Sequence, residues 1–520
     1  MNREPADQKR RAVPFHPVLF AVAPILFVYA HNGVRIPIDP GELLWPVGLS
    51  LAMTAVLWAV LGLLFRNAAR AALVVSLFLV LFFSYGHIAE ELVRPVYASA
   101  ELLLGWAVLM GIGIWLAARR PRRRAPGSPF GLTLLLNSAA VGILAVNLAT
   151  GVRALAHRPP RAERAPGPNV TAASADYPDI YYIITDSYVR SDVLKSRYQT
   201  DNGAFIGELR RLGFFVADRA RSNYAWTHPS LASSLNLTYL DSLAAAVGPE
   251  SDNGGPLLGM IRNSRVVDFL RRHGYRIVSF ASGDAGTDMA GADVRLAPRW
   301  SLTEFQGILV NTTLLRDVLI MMHRSSAGRH RDRVLYALRN LPDAGLGQRP
   351  VFVFAHILSP HRPIIFGTPV MQPGVSPFAA AYGGQVLYLS RLLVDVVQRI
   401  LAQSSRPPVI IIQADHGLRE VIAWGDSARS QLLERHAILD ALHLPPPPRG
   451  TRPSDQLYDS ISPVNTFRVI LSQYFDTTMA LLPDRSYFSL LERPYHFYDV
   501  DRPESYPVVK GNPAEPTESP

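Results

Sequence analysis

A chain of 520 residues with 48% hydrophobic and only 18% charged side chains is too apolar for a disordered protein or for an ordinary soluble enzyme of this length. Cysteine is absent, which excludes a disulfide framework, a thiolate zinc site and a cysteine nucleophile. The net charge of +10 sits largely in three short segments beside apolar runs (Arg3, Lys9, Arg10, Arg11; Arg66, Arg70; Arg119, Arg120, Arg122, Arg123, Arg124), a membrane-orientation pattern that predicts no nucleic-acid partner.

Five apolar stretches fill the first third: Phe15 to Ala30, Leu43 to Phe65, Ala71 to Tyr85, Leu102 to Ala118 and Phe130 to Ala149. A crossing needs about 20 apolar residues, with a lower limit near 17. The second and fifth meet this easily, whereas the first and third need flanking residues such as His31 or Gly86. The basic segments place the amino terminus, the Arg66–Arg70 turn and the Arg119–Arg124 loop on the cytoplasmic side. Five crossings from an inside start leave everything after Thr150 outside, as expected for a multi-pass protein of a bacterial cytoplasmic membrane with its lipid bilayer as a partner. Asn137 and Asn147 in the fifth stretch read as interhelix hydrogen-bonding groups. Residues 1–152 are thus an anchor. Residues 153–177, rich in Pro, Arg and Ala, form a linker, residues 178–500 a second domain, and residues 501–520 a disordered tail.

From Asp179 onward short β-branched and aromatic runs alternate with helical patterns such as Tyr388 to Leu401. The predicted strands are Ile180–Thr185, Phe214–Ala217, Arg276–Phe280, Val351–Ala355 and Val409–Gln413. The last two are apolar almost throughout, the mark of strands buried on both faces. The alternation predicts an α/β sandwich with a mainly parallel sheet, whose sites form beyond the carboxyl ends of its strands.

Two strand ends there carry metal-ligand chemistry: Thr185-Asp186-Ser187 and Gln413-Ala414-Asp415-His416-Gly417. A third segment, Trp226-Thr227-His228-Pro229-Ser230, reads as a helix start with Thr227 near the cap and Pro229 in the first turn. A cation held by Asp186, Asp415 and His416 would lower the Thr227 hydroxyl's pKa and make it a nucleophile at neutral pH. His356, at the end of its strand, reads as a packed core residue. Arg190 and Lys195 could reach a phosphate, but a solvated helix face is their default. Ser462-Pro463 opens a further helix, to which no chemistry is assigned.

An Asp at the first strand end, a Thr at a helix start and a late Asp-His-Gly resemble the alkaline phosphatase/sulfatase superfamily. The five-helix anchor looks like its membrane-bound branch, which includes lipoteichoic acid synthases and lipid A phosphoethanolamine transferases. The resemblance runs from about Asp179 to Leu482 and implies an alkaline phosphatase-like fold. It implies that Asp186, Thr227, Asp415 and His416 surround one divalent cation, Mn²⁺, Zn²⁺ or Mg²⁺. It also implies that His361, in Ser359-Pro360-His361-Arg362-Pro363, faces the substrate's anionic group or leaving oxygen, with Arg190 a weaker substrate contact. Sulfatases carry Cys or Ser in a Cys/Ser-x-Pro-x-Arg motif, where this chain has Thr227 and Leu231. Threonine cannot give formylglycine. The expectation is a membrane-anchored, metal-dependent phosphoryl-group transferase or phosphodiesterase acting on an envelope lipid or glycan. A hydrolase of sulfate or phosphate esters and a non-catalytic envelope scaffold are the alternatives.

Overall fold

A computed structural model describes residues 13–33, 38–92, 100–119, 129–156, 177–289, 291–299, 301–322, 326–347, 350–369, 374–418, 428–447, 456–475 and 477–506. Most of the expected linker and tail, residues 157–176 and 507–520, lie outside them. The chain divides into two compact units. The first comprises Met1–Arg158 and Leu302–Ser326, and the second Pro159–Ser301 and Ala327–Ser519.

The first unit contains five apolar helices: α1 (His16–Asn32), α2 (Leu44–Phe65), α3 (Ala68–Leu92), α4 (Ala100–Ala118) and α5 (Pro129–Ala156). Four apolar spans, Pro40–Phe65, Ala68–Ala89, Glu101–Ala118 and Gly131–Arg153, are long and apolar enough to cross a membrane, and α1, with 17 residues, is shorter. The third predicted stretch extends well past Tyr85. The fifth helix is stitched to the first by the two asparagines: Asn137 Oδ1 accepts from the His16 amide at 2.9 Å, and Asn147 Nδ2 donates to the Ala23 carbonyl at 2.9 Å. Both are buried, so pairing across the helices spares each amide the cost of burial without a partner.

The helices Glu304–Thr312 and Leu315–Met321 also belong to this unit, although their sequence lies within the span expected for the second domain. Phe305 packs edge-on against Tyr29, the Leu314 amide donates to the Phe82 carbonyl at 3.0 Å, and the Tyr85 hydroxyl donates to the buried Asp317 carboxylate. Apolar patterning alone does not distinguish an excursion of 25 residues from the helical layers of an α/β domain.

The second unit is built on a seven-stranded sheet: β1 (Ile180–Thr185), β2 (Phe215–Val216), β3 (Arg276–Phe280), β4 (Val294–Leu296), β5 (Val351–Ile357), β6 (Val409–Gln413) and β7 (Asp440–His443). Their order is β2-β7-β6-β1-β5-β3-β4. β4, β3, β5, β1 and β6 are parallel; at one edge β7 pairs antiparallel with β6, and β2 antiparallel with β7. The strand expected over Phe214–Ala217 is thus a two-residue edge piece. β4 and β7 escape sequence reading because Val-Arg-Leu and Asp-Ala-Leu-His are short and carry polar residues. β8 (Tyr487–Leu490) and β9 (Arg493–Asp499) form a separate hairpin.

Both faces of the sheet are covered. On one, Tyr181, Ile183, Val353 and Ile412 pack beneath the long helix Pro377–Gln403 and the helices α6 (Ser191–Tyr198) and α7 (Gly203–Arg211). On the other, Ile180, Tyr182, Ile184, Phe352, Phe354, Val409 and Ile411 pack beneath α8 (Thr227–Ser234) and the helix Pro463–Tyr474. Burial on both faces explains why β1, β5 and β6 are apolar without alternation.

Candidate metal centre

The sheet register decides which side chains meet. Ile184 of β1 pairs with His356 of β5 and with Gln413 of β6. Side chains alternate along a strand with period two, so Asp186, His356 and Asp415 emerge on the same face of three adjacent strands, at their carboxyl edge. That face carries α8. Its first residue is Thr227, preceded by Trp226 in extended conformation (φ −134°, ψ 150°). Thr227 therefore stands one position inside the helix rather than at its cap, with its hydroxyl over the strand ends.

Two turns hold the ligands in place. Ser187 adopts a left-handed conformation (φ 63°), its hydroxyl donates to Asp186 Oδ1 at 2.9 Å, and its amide faces Asp415 Oδ1 at 3.3 Å. Asp415 Oδ1 also accepts from the His416 amide at 2.9 Å, and the Ser230 hydroxyl of α8 donates to the Asp415 carbonyl at 2.6 Å. After His416 the backbone must be glycine, because a Cβ on Gly417 would lie 2.2 Å from the Arg435 carbonyl oxygen.

The result is a buried group: ligand atoms of Asp186, Asp415 and His416 lie within 4.8 Å of one another. Thr227 Oγ1 is 3.2 Å from His416 Nε2. His416 Nδ1 meets the Gly417 carbonyl at 2.6 Å. A proton on Nδ1 leaves the Nε2 lone pair facing the carboxylates, the arrangement found behind metal-bound histidines.

Burial, followed by the nearby Asp415 charge, pushes the Asp186 carboxyl up to about 6. Burial acts on Asp415 in the same direction, but His416 and His356, with the Thr227 hydroxyl, hold it below its ordinary value. Two buried carboxylates at this separation call for positive charge between them. Hard oxygens with one imidazole fit Mn²⁺, Zn²⁺ or Mg²⁺.

His356, expected as a packed strand-end residue, is the penultimate residue of β5, beside the carboxylates. It is buried, with Nε2 3.6 Å from Asp186 Oδ2 and 3.8 Å from Asp415 Oδ2. Its parity with Phe352 and Phe354 was the available signal, but using it required the register. His228, the residue after Thr227, pairs with Asp284 of the loop after β3 at 3.3 Å. Burial raises the Asp284 carboxyl, yet His228 and His356 outweigh it and hold Asp284 well below the carboxylate range.

The other expected substrate contacts stand differently. The His361 amide donates to the Asp186 carbonyl at 3.0 Å, which ties its loop to the strand end, and its Nδ1 meets the Arg362 carbonyl at 2.6 Å. Arg190 is committed elsewhere: it grips Asp192 through two nitrogens and donates to the Ala220 carbonyl at 2.8 Å. Lys195 lies 3.6 Å from Asp201. Neither cation is among the groups gathered at the carboxylates.

No family model matches the chain, and no curated protein matches it. Among solved structures, it is similar to the C-terminal periplasmic domain of EptC from Escherichia coli in complex with Zn, at 11% identity and a TM-score of 0.43, covering 66% of this chain and 97% of that one. It is also similar to the integral membrane lipooligosaccharide phosphoethanolamine transferase A from Neisseria meningitidis, at 12% identity and a TM-score of 0.36, covering 89% and 96%. A third similar structure is the lipoteichoic acid synthase LtaP from Listeria monocytogenes, at 12% identity and a TM-score of 0.37, covering 61% and 78%.

Proposed function

We propose that this chain is a membrane-anchored transferase or phosphodiesterase that moves a phosphoryl-bearing group by way of Thr227, with one divalent cation held by Asp186, Thr227, Asp415 and His416. The observation that carries the reading is the approach of the Thr227 hydroxyl to 3.2 Å from His416 Nε2 beside two buried carboxylates. A cation in that group would supply positive charge for the phosphate oxygens and lower the hydroxyl's pKa.

The chain's own residues account for the rest. The proton of the Thr227 hydroxyl is assigned to Asp415, whose carboxylate that hydroxyl helps to hold in its charged form. Thr227 Oγ then bonds to phosphorus as the bond to the leaving oxygen breaks. An acceptor alcohol or water reverses the exchange, releasing Thr227. The amino end of α8 presents its first amides and its positive dipole end to the anion. His361, held beside Asp186 by its backbone, is assigned to the substrate's anionic group or leaving oxygen.

The four long apolar helices favour a substrate in the bilayer or at its surface, an envelope lipid or glycan, because tethering raises the effective concentration of such a partner. The basic segments orient the second unit to the outer side of the cytoplasmic membrane. The test pairs a nitrophenyl phosphodiester with a nitrophenyl sulfate. Faster phosphodiester cleavage, abolished in Thr227→Ala, is expected; faster sulfate cleavage would overturn the reading in favour of an ester sulfatase.

A further inference from the structure

His356 has only one of its two ring nitrogens engaged. Nδ1 lies 2.9 Å from the Thr287 hydroxyl, whereas Nε2 is fully buried with no hydrogen-bond partner. Asp415 Oδ2 is likewise buried with none. The two orphaned atoms face each other at 3.8 Å, with Asp186 Oδ2 3.6 Å from the same nitrogen. Burying two such groups without partners is unfavourable, so something belongs between them.

An imidazolium bridging both carboxylates would satisfy the charges, but charge-assisted hydrogen bonds span about 2.7–2.9 Å, and both separations are far longer. Two ligands each about 2.0–2.2 Å from a common cation stand roughly 3.3–4 Å apart, depending on the angle between them. The observed separations fall in that range. The side on which His356 stands is also distinct: His416 Nε2 approaches Asp186 Oδ1, and His356 Nε2 approaches Asp186 Oδ2. The two imidazoles thus meet Asp186 at opposite oxygens and share Asp415 Oδ2, at 3.6 Å from His416 and 3.8 Å from His356. The Thr287 hydroxyl completes the arrangement. It can accept the Nδ1 proton and fix the tautomer whose Nε2 lone pair points inward, the role that outer partners play for metal-bound histidines.

We infer that His356 is a further ligand, through Nε2, of the cation held by Asp186, Asp415 and His416. The inference rests on the metal-centre reading above and adds to it a second imidazole, which shifts the preference of the site from Mg²⁺ toward Zn²⁺.

The experiment uses the full chain in detergent, stripped with a chelator and reloaded with one equivalent of Zn²⁺. X-ray absorption at the zinc edge is expected to count two imidazoles in the wild type, a result that needs no variant. It should count one in His356→Ala and one in His416→Ala, and competition with a chromophoric chelator should show His356→Ala binding zinc at least about tenfold more weakly. One imidazole in the wild type, lost only in His416→Ala, would overturn the role of His356 and leave the centre standing. No zinc bound by the wild type would overturn the role of His356, and failure to bind Mn²⁺ or Mg²⁺ as well would overturn the centre.

Discussion

Thr227 Oγ1 and His416 Nε2 lie 3.2 Å apart although 189 residues separate them in the chain. One is the first residue of a helix laid over the sheet, and the other follows a central strand by three positions. Their meeting requires both the parallel order β6-β1-β5 and the packing of α8 on the face that presents Asp186 and Asp415. If that meeting is chemical, the hydroxyl is what matters. Thr227→Ser should retain measurable phosphodiester cleavage, and Thr227→Ala should lose at least about 10³-fold in turnover. Steady-state rates on a nitrophenyl phosphodiester check this, with zinc content measured alongside to separate loss of the nucleophile from loss of the cation.

Gly417 makes the Asp-His turn possible. With a Cβ only 2.2 Å from the Arg435 carbonyl, Gly417→Ala must push apart two backbone segments that are hydrogen-bonded at 2.8 Å. The expected cost is roughly 1–3 kcal/mol, read as a lowered thermal midpoint, together with weaker metal binding because His416 moves with the turn. An unchanged midpoint and unchanged affinity would show that the turn is not confined in this way.

Asp440 gives a pH dependence of known sign. Burial pushes its carboxyl up to about 7, Gln413 Nε2 donates to one oxygen at 3.0 Å, and the other oxygen has no partner. An aspartate titrates near 3.9 in the unfolded chain, so between about pH 4 and pH 7 the folded state holds more protons. Stability from this group is complete at the acid end, falls as pH rises through that window, and levels off above it. Asp440→Asn should remove the decline, a difference on the order of a few kcal/mol by pH 7.5. Thermal midpoints of the two proteins across pH 4 to 8 provide the measurement.

In the first unit, Gly86 of α3 packs directly on the backbone of the inserted segment, where an added Cβ would stand 2.0 Å from the Asn311 carbonyl. The same junction buries the Tyr85–Asp317 hydrogen bond. Tyr85→Phe leaves the carboxylate without its hydroxyl and should cost about 1–3 kcal/mol. Gly86→Leu should detach the segment, which would appear as faster proteolysis within 302–326 in detergent. Equal proteolysis in variant and wild type would show that the packing does not hold the segment.

Much of this organisation can be read from the residues. The apolar runs locate α1 to α5, and β-branched runs locate β1, β3, β5 and β6. Asp186, Asp415, His416 and Thr227 stand out because each follows or opens an element where α/β sheets place their chemistry. The remainder depends on long-range geometry. His356 differs from an ordinary strand-end histidine only through its register with Ile184, and no local pattern contains that. Arg190, expected on a solvated helix face, meets the Ala220 carbonyl, which lies 30 residues away in the chain. The insertion at Leu302–Ser326 has helical periodicity like that of its neighbours, and only packing against α1 and α3 assigns it to the first unit.

The most direct test of the account is mass spectrometry of the protein quenched with acid during turnover of a phosphodiester. A phosphate-linked adduct on the peptide containing Thr227, absent from Thr227→Ala, is predicted, and its added mass gives the transferred group. Full turnover with an adduct on another residue, or undiminished turnover by Thr227→Ala, would contradict it.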